Sequence, residues 1–173
     1  MELSFLYSLQ TLHNPALDKV MILFTNLGEY GAVWILTAIL LLCFQKYRQY
    51  GALMLVSLLV TFLIGEIGLK NLIMRERPLV ADPTVQQLIP LPSGSSFPSG
   101  HTASSFTAAW ILWKADRKFG AAGLALAVCI GFSRLYLFVH YPTDVLGGAV
   151  LGIACAQCIY LLAKRYIRKK ACQ

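Results

Sequence analysis

Three short segments hold residue types that do chemistry together. They read Lys-Asn-Leu-Ile-Met-Arg-Glu-Arg-Pro at 70–78, Pro-Ser-Gly-His at 98–101, and Ser-Arg-Leu-Tyr-Leu-Phe-Val-His-Tyr-Pro-Thr-Asp at 133–144. Lys70, Arg77 and Arg134, with no acidic cluster beside them, describe a pocket for a highly charged anion such as phosphate. Ser99 reads as a helix cap with Gly100 and His101 in the first turn, where free backbone N–H groups and the helix dipole favour an anion. Gly100 lacks a Cβ and lets that anion come close to the backbone. His140 and Asp144 are four apart around Pro142, a residue suited to a first helical turn. That spacing brings the carboxylate toward one imidazole nitrogen, fixing the tautomer and leaving the other nitrogen to attack. His101 then suits the general acid that protonates the leaving oxygen.

Taken singly, each piece has a plainer reading. Lys70 or Arg134 alone is an interface anchor, Pro-Ser-Gly alone is a helix start, and His140 alone is a satisfied polar residue. Two His and an Asp are also metal-ligand types, but three neighbouring cations would repel a divalent ion. The constellation gains its specificity from all three pieces occurring in order with mutually useful chemistry.

These pieces must be held by something, and the composition says what. Of 173 residues, 57% are hydrophobic and 13% charged, and mean hydropathy is +0.63. That is too little charge to coat a water-exposed surface, and it excludes a disordered chain as well. Apolar stretches give five candidate spans: within Ala16–Phe44, Tyr50–Leu72, near Ser99 to Trp113, about Phe119 to Leu137, and Tyr141 to Ala163. Asn26, Gly28 and Glu29 interrupt the first, so a break or strong tilt is expected there. MELSFLYSLQ lacks the basic start and long apolar core of a cleavable signal and reads as a short amphipathic segment at the interface. The five Cys form no regular framework, and Cys155 and Cys158 fall in an apolar run as packing residues.

Net charge is +7, and its placement matters more than its sum. Lys46 and Arg48, then Lys114, Arg117 and Lys118, then Lys164, Arg165, Arg168, Lys169 and Lys170 fall on one side of a five-span topology. The positive-inside rule makes that side cytoplasmic and leaves the three chemical segments on the outer face. This pattern is a topology signal and an attraction to anionic headgroups rather than a nucleic-acid surface.

The same segments resemble the type 2 phosphatidic acid phosphatase (PAP2) superfamily, whose pattern is K-x6-R-P, P-S-G-H and S-R-x5-H-x3-D. Lys70 with Arg77-Pro78, then Pro98–His101, then Ser133-Arg134 with His140 and Asp144 match every position across 75 residues. The resemblance implies an all-α polytopic membrane bundle of five to six spans with a PAP2/haloperoxidase-type core, formed by residues 1–173 as one integral-membrane domain. It implies metal-independent phosphatase chemistry without a cofactor, through a phosphohistidine on His140, with Asp144 orienting it and His101 as acid and later base. Lys70, Arg77 and Arg134 would hold the phosphate with Ser99 and Gly100.

The superfamily also contains enzymes acting on soluble esters and vanadate-dependent haloperoxidases, so the motif does not by itself choose a substrate. Compactness and the outward site favour a bacterial inner-membrane lipid phosphatase, and the resemblance to the superfamily implies undecaprenyl diphosphate as its substrate. The runner-up is phosphatidylglycerophosphate or phosphatidic acid, and an inactive lipid-phosphate binding or transport protein is the reading from another class. The expected partners are the lipid phosphate or diphosphate and membrane lipids, with no nucleic acid; oligomeric state is not legible.

Glu66 lies one turn before Lys70 in an apolar span and should pair with a cation or act behind the phosphate groups. Arg75 is expected, like Glu66, behind the groups that hold the phosphate, or else at a second phosphate, a headgroup or the surface. Tyr136, Phe138 and Tyr141 read as an aromatic belt. Gly65, Gly68, Gly147, Gly148 and Gly152 offer surfaces for close helix packing, the last three also shaping an entry route for a lipid chain.

Overall fold

The computed structural model describes residues 1–171, with side chains through residue 165. Nine α-helices are described: α1 (Glu2–Gln10), α2 (Pro15–Leu27), α3 (Ala32–Cys43), α4 (Arg48–Phe62), α5 (Lys70–Ile73), α6 (Pro78–Ala81), α7 (Gly100–Ala115), α8 (Arg117–Tyr136) and α9 (Pro142–Ala171). Local chemistry sets their starts. Asn14 accepts from Leu17 N ahead of Pro15, Asp116 accepts from Lys118 N, and Ser99 accepts from Thr102 N.

The interruption at residues 26–31 bends α2 against α3 by 45°. Tyr30 and Gly31 take positive φ there, the conformation that ends one helix and redirects the next.

α7 is the axis of the bundle. Its half-turn pattern of small residues (Ala103, Ser105, Thr107, Ala108, Ala109) is buried, and α8, α9 and α4 pack around it. Close approach explains the glycines: a Cβ at Gly152 would collide with Ala103 O, and one at Gly123 would sit 2.8 Å from Leu112 Cδ1. Polar pairs tie the layers, with Trp34 Nε1 donating to Ser105 Oγ at 2.9 Å and Trp110 Nε1 to Gln157 Oε1 at 2.9 Å. The outside is apolar: Leu36, Leu59, Leu146 and Val150 are all well exposed, as expected where the surroundings are lipid.

This is a multi-pass membrane protein, but the helices do not themselves supply five to six crossings. Among the described residues, three are long and apolar enough to span (Arg48–Ala81, Arg117–Tyr136 and Pro142–Arg165), or four if the bent pair α2–α3 is one span. α7 was expected to be a span and is 16 residues, about 24 Å at about 1.5 Å per residue, against a hydrocarbon core of about 30 Å. It is sheathed by its neighbours rather than by lipid.

Two of the three basic clusters meet at one end. Tyr47 packs on Phe119 with ring centroids 5.6 Å apart, and Lys114 lies over the rings of Trp110 and Tyr160. The side chains of Arg168, Lys169 and Lys170 lie outside the described residues. α7 runs from this end to the opposite one, where residues 63–101 and 134–144 gather.

The aromatic belt is corrected. Tyr136 and Phe138 are buried, because the chain after α8 folds inward and α1 covers it. Leu6 and Leu9 of α1 pack with Leu79, Leu135 and Phe138, so the amino-terminal helix is seated on protein.

Candidate active site

α4 runs into a π-helical turn, Leu63–Leu69, where Lys70 N bonds back five residues to Gly65 O. Such a wide turn re-aims the side chains that follow, and π-turns recur at functional sites for that reason. Here it puts the Glu66 carboxylate 2.9 Å from Lys70 Nζ and directly against Gly100, where any Cβ would collide with Glu66 Oε1. The glycine that starts α7 is therefore needed to seat Glu66.

The 73–98 connection folds back through α6 and is drawn together by Arg77. Its guanidinium donates to the carbonyls of Ser93, Gly94, Ser95 and Val139 at 3.1–3.2 Å, and Nη1 also donates to His140 Nε2 at 3.2 Å. Guanidinium has donors only, so His140 Nε2 must carry the lone pair and Nδ1 the proton. That is the tautomer an attacking Nε2 requires.

Asp144 stands behind His140, but not as the spacing suggested. His140 lies before the first turn of α9, and its Nδ1 is 3.6 Å from Asp144 Oδ2, too far for a hydrogen bond. Ser96 Oγ fills the gap, 3.4 Å from His140 Nδ1 and donating to Asp144 Oδ2. Tyr141 N adds a bond to the same oxygen at 2.8 Å. Burial, with Arg134 and Arg77 assisting and Asp144 opposing, pushes His140 down to about 3, so its ring is neutral.

His101 faces His140 from the first turn of α7. Gly28, at the end of α2, makes room for its ring: a Cβ there would lie 2.8 Å from His101 Cδ2. Glu29 Oε2 is 3.5 Å from His101 Nε2. Arg134 is buried near the end of α8 and donates to Thr25 Oγ1.

These groups open onto one cavity of about 680 Å³. Lys70, Glu66, Arg77, Gly100, His101, Arg134 and His140 line its polar end. Its other end lies between α3 and α4, lined by Ile35, Leu55, Leu58, Leu59 and Phe62. Two buried nitrogens of these lining residues, His101 Nε2 and the donor Arg134 Nε, have no hydrogen-bond partner among the described residues. A buried donor left unpaired costs about 1–3 kcal/mol, which an anionic oxygen in the cavity would relieve.

Two expectations change. Ser99 is fully buried, accepts from Thr102 Oγ1 at 2.9 Å and does not line the cavity; only the backbone of its turn is presented. Arg75 stands behind His140, pairing with Asp144 and Glu2 at 2.6 Å each. Gly147, Gly148 and Gly152 form no chain route, since Phe97, Ser99, Ala103 and Thr107 occupy the space beside them. Ser96, Glu29, Gly28, Thr25 and Glu2 were not read from the sequence as site residues. The interruption at 26–31 was a signal for two of them; Ser96 and Glu2 carry none.

The PAP2 superfamily model matches residues 46–168. The chain is 34% identical over 129 residues to the undecaprenyl-diphosphatase of Sulfolobus acidocaldarius, covering 73% of this chain and spanning 62% of that protein's length. Two solved structures share the fold across almost the whole chain. Aquifex aeolicus LpxE superposes with a TM-score of 0.82 at 30% identity, covering 92% of this chain and 94% of the other. The PAP2-type phosphatidylglycerolphosphate phosphatase of Bacillus subtilis superposes at 0.74 and 28%, covering 94% and 84%.

Proposed function

The chain belongs to the PAP2 superfamily, and from that premise we propose that residues 1–173 are one membrane domain that hydrolyses undecaprenyl diphosphate to undecaprenyl phosphate through a phosphohistidine. The observation that carries this reading is the single cavity with imidazoles and cations at one end and an apolar slot between α3 and α4 at the other. A lipid leaves its chain in the slot and offers its phosphate to Lys70, Arg77 and Arg134. By the positive-inside pattern the site faces away from the cytoplasm of a bacterial inner membrane, with five crossings once α7 and the bent α2–α3 pair are added to the three long helices.

The chemistry runs in two steps. His140 Nε2 forms a bond to the terminal phosphorus as the bridging P–O bond breaks, and His101 Nε2 gives its proton to the departing lipid-phosphate oxygen. This step requires His101 to be protonated once the anion is bound; the Glu29 carboxylate stands 3.5 Å from its Nε2. As His140 becomes cationic, Ser96 and Asp144 stabilise the charge at Nδ1. Water then attacks phosphorus, His101 takes its proton, and the N–P bond breaks to release phosphate. The cations around the imidazoles suit an anion and oppose a divalent metal.

A second reading, phosphatidylglycerophosphate or phosphatidic acid as substrate, is favoured by the likeness to the Bacillus subtilis phosphatase. Initial rates of purified protein in detergent with EDTA, on a panel of lipid mono- and diphosphates at matched surface concentration, separate the two. The prenyl diphosphate should turn over fastest; equal or faster release from phosphatidylglycerophosphate would replace it. No release from any lipid, by wild type or His140→Ala, would point to a binding or transport protein. Loss of activity to EDTA would point to a metal enzyme.

A further inference from the structure

Glu2 and Thr143 are 141 positions apart and form two bonds: Glu2 Oε1 accepts from Thr143 N at 3.0 Å and from Thr143 Oγ1 at 2.7 Å. The other oxygen, Oε2, accepts from Arg75 Nη2 at 2.6 Å. Arg75 Nη1 reaches Asp144 Oδ1 at 2.6 Å and Thr143 Oγ1 at 2.6 Å, and the guanidinium lies 4.0 Å over the Tyr141 ring. The backbone closes the clamp, with Ser96 N donating to Arg75 O at 2.8 Å and Arg75 N donating to Ser95 Oγ at 2.9 Å. Asp144 is thus held from both sides: Oδ1 by Arg75, Oδ2 by Ser96 and Tyr141 N.

We propose that Arg75 and Glu2 are positioning residues for hydrolysis, which act through Asp144 on His140 and make the seated amino-terminal helix part of the catalytic apparatus. This rests on the functional reading above. Thr143 N–H belongs to the first turn of α9, where backbone donors lack helical partners and a carboxylate is favoured by the dipole. Glu2 fills that place from a distant element. It also matters electrostatically. Arg75 alone would cancel much of the negative charge that Asp144 offers to the developing imidazolium; the carboxylate of Glu2 on its far side offsets that cancellation. Arg75 supplies direction and Glu2 restores the field. The seat of α1 fixes where Glu2 lies, through buried Leu6 and Leu9 and through Tyr7 Oη donating to Asp82 at 2.6 Å.

The test measures kcat and KM for lipid-phosphate hydrolysis by the full chain in detergent. Arg75→Met should lower kcat about 30-fold and Glu2→Gln about fivefold, with KM within about twofold, and Arg75→Lys should recover part of the loss. In an Asp144→Asn background, the same two substitutions should cost less than about twofold, because the group they act through is already gone. Should Arg75→Met fail to fold by circular dichroism, Arg75→Lys and Glu2→Gln carry the same comparison. A wild-type kcat in the variants, a loss expressed only in KM, or an undiminished loss in the Asp144→Asn background overturns the proposal. Absence of phosphate release by the wild type would instead overturn the functional reading.

Discussion

Ser96 donates its hydroxyl to Asp144 Oδ2 while lying 3.4 Å from His140 Nδ1, so the carboxylate reaches the imidazole by way of an alcohol. The direct separation of 3.6 Å between His140 Nδ1 and Asp144 Oδ2 is longer than a hydrogen bond. Ser96→Ala removes the relay and leaves a buried carboxylate with one bond fewer. The expected outcome is a fall in kcat of about tenfold, or about 1.4 kcal/mol, with KM unchanged. Steady-state rates checked against an unchanged melting profile decide it; a wild-type kcat would make the serine a bystander.

His101 is expected to matter in proportion to how poor the leaving group is. His101→Asn should cost about 10²- to 10⁴-fold on a lipid substrate, where an alkoxide or lipid phosphate must be protonated as it leaves. With p-nitrophenyl phosphate, whose leaving group needs no proton, formation of the phosphoenzyme should be almost unaffected. Rapid-quench measurement of p-nitrophenol release reads this step. Equal losses on both substrates would give His101 another task.

The His140 ring, held down to about 3 chiefly by burial, should stay neutral from pH 8 to pH 5. An exposed histidine would be more than half protonated at pH 5, given its ordinary value of about 6.5. Nitrogen chemical shifts of labelled histidine in detergent, assigned through His140→Gln, measure it directly. The sign for stability follows. The unfolded chain takes up this proton below about 6.5 and the folded one does not, so the contribution is present above that value and is lost as pH falls toward 3.

The slot between α3 and α4 should discriminate by chain length. Leu58→Trp narrows it without touching the polar end. Activity on a long-chain prenyl diphosphate should fall about tenfold relative to a short, soluble diphosphate, mostly through KM. If both substrates respond alike, the chain lies elsewhere.

Gly28→Ala puts a methyl 2.8 Å from both His101 Cδ2 and Ile130 Cγ2. The ring must shift, and kcat should drop about tenfold or more, since misplacing a reacting group by even 1 Å costs about 10²-fold. A thermal melting profile measured alongside separates this from general destabilisation: a loss of kcat with an unchanged profile traces to the displaced ring, and a wild-type kcat would show that the ring has room to move.

Residue type and spacing alone determined a good deal. The apolar, charge-poor composition specified a helical membrane protein, because only helices or closed barrels satisfy backbone groups in lipid. The three motifs named the groups that the fold gathers around one cavity: Lys70, Gly100, His101, Arg77, Arg134 and His140. Caps were legible too, since Ser99 and Pro142 act on their own neighbours. The tertiary structure decided what depends on distant partners. It seated α1 on Leu79 and Phe138, buried Tyr136, placed α7 inside the bundle rather than in lipid, and put Ser96 and Arg75 on Asp144 with Glu2 behind Arg75. Short-range order follows from periodicity and capping, which operate over a few residues. A hydrogen bond between residues 48 to 141 positions apart leaves no periodic trace in the chain; it exists only once loops have folded and a buried carboxylate has collected the donors within its reach.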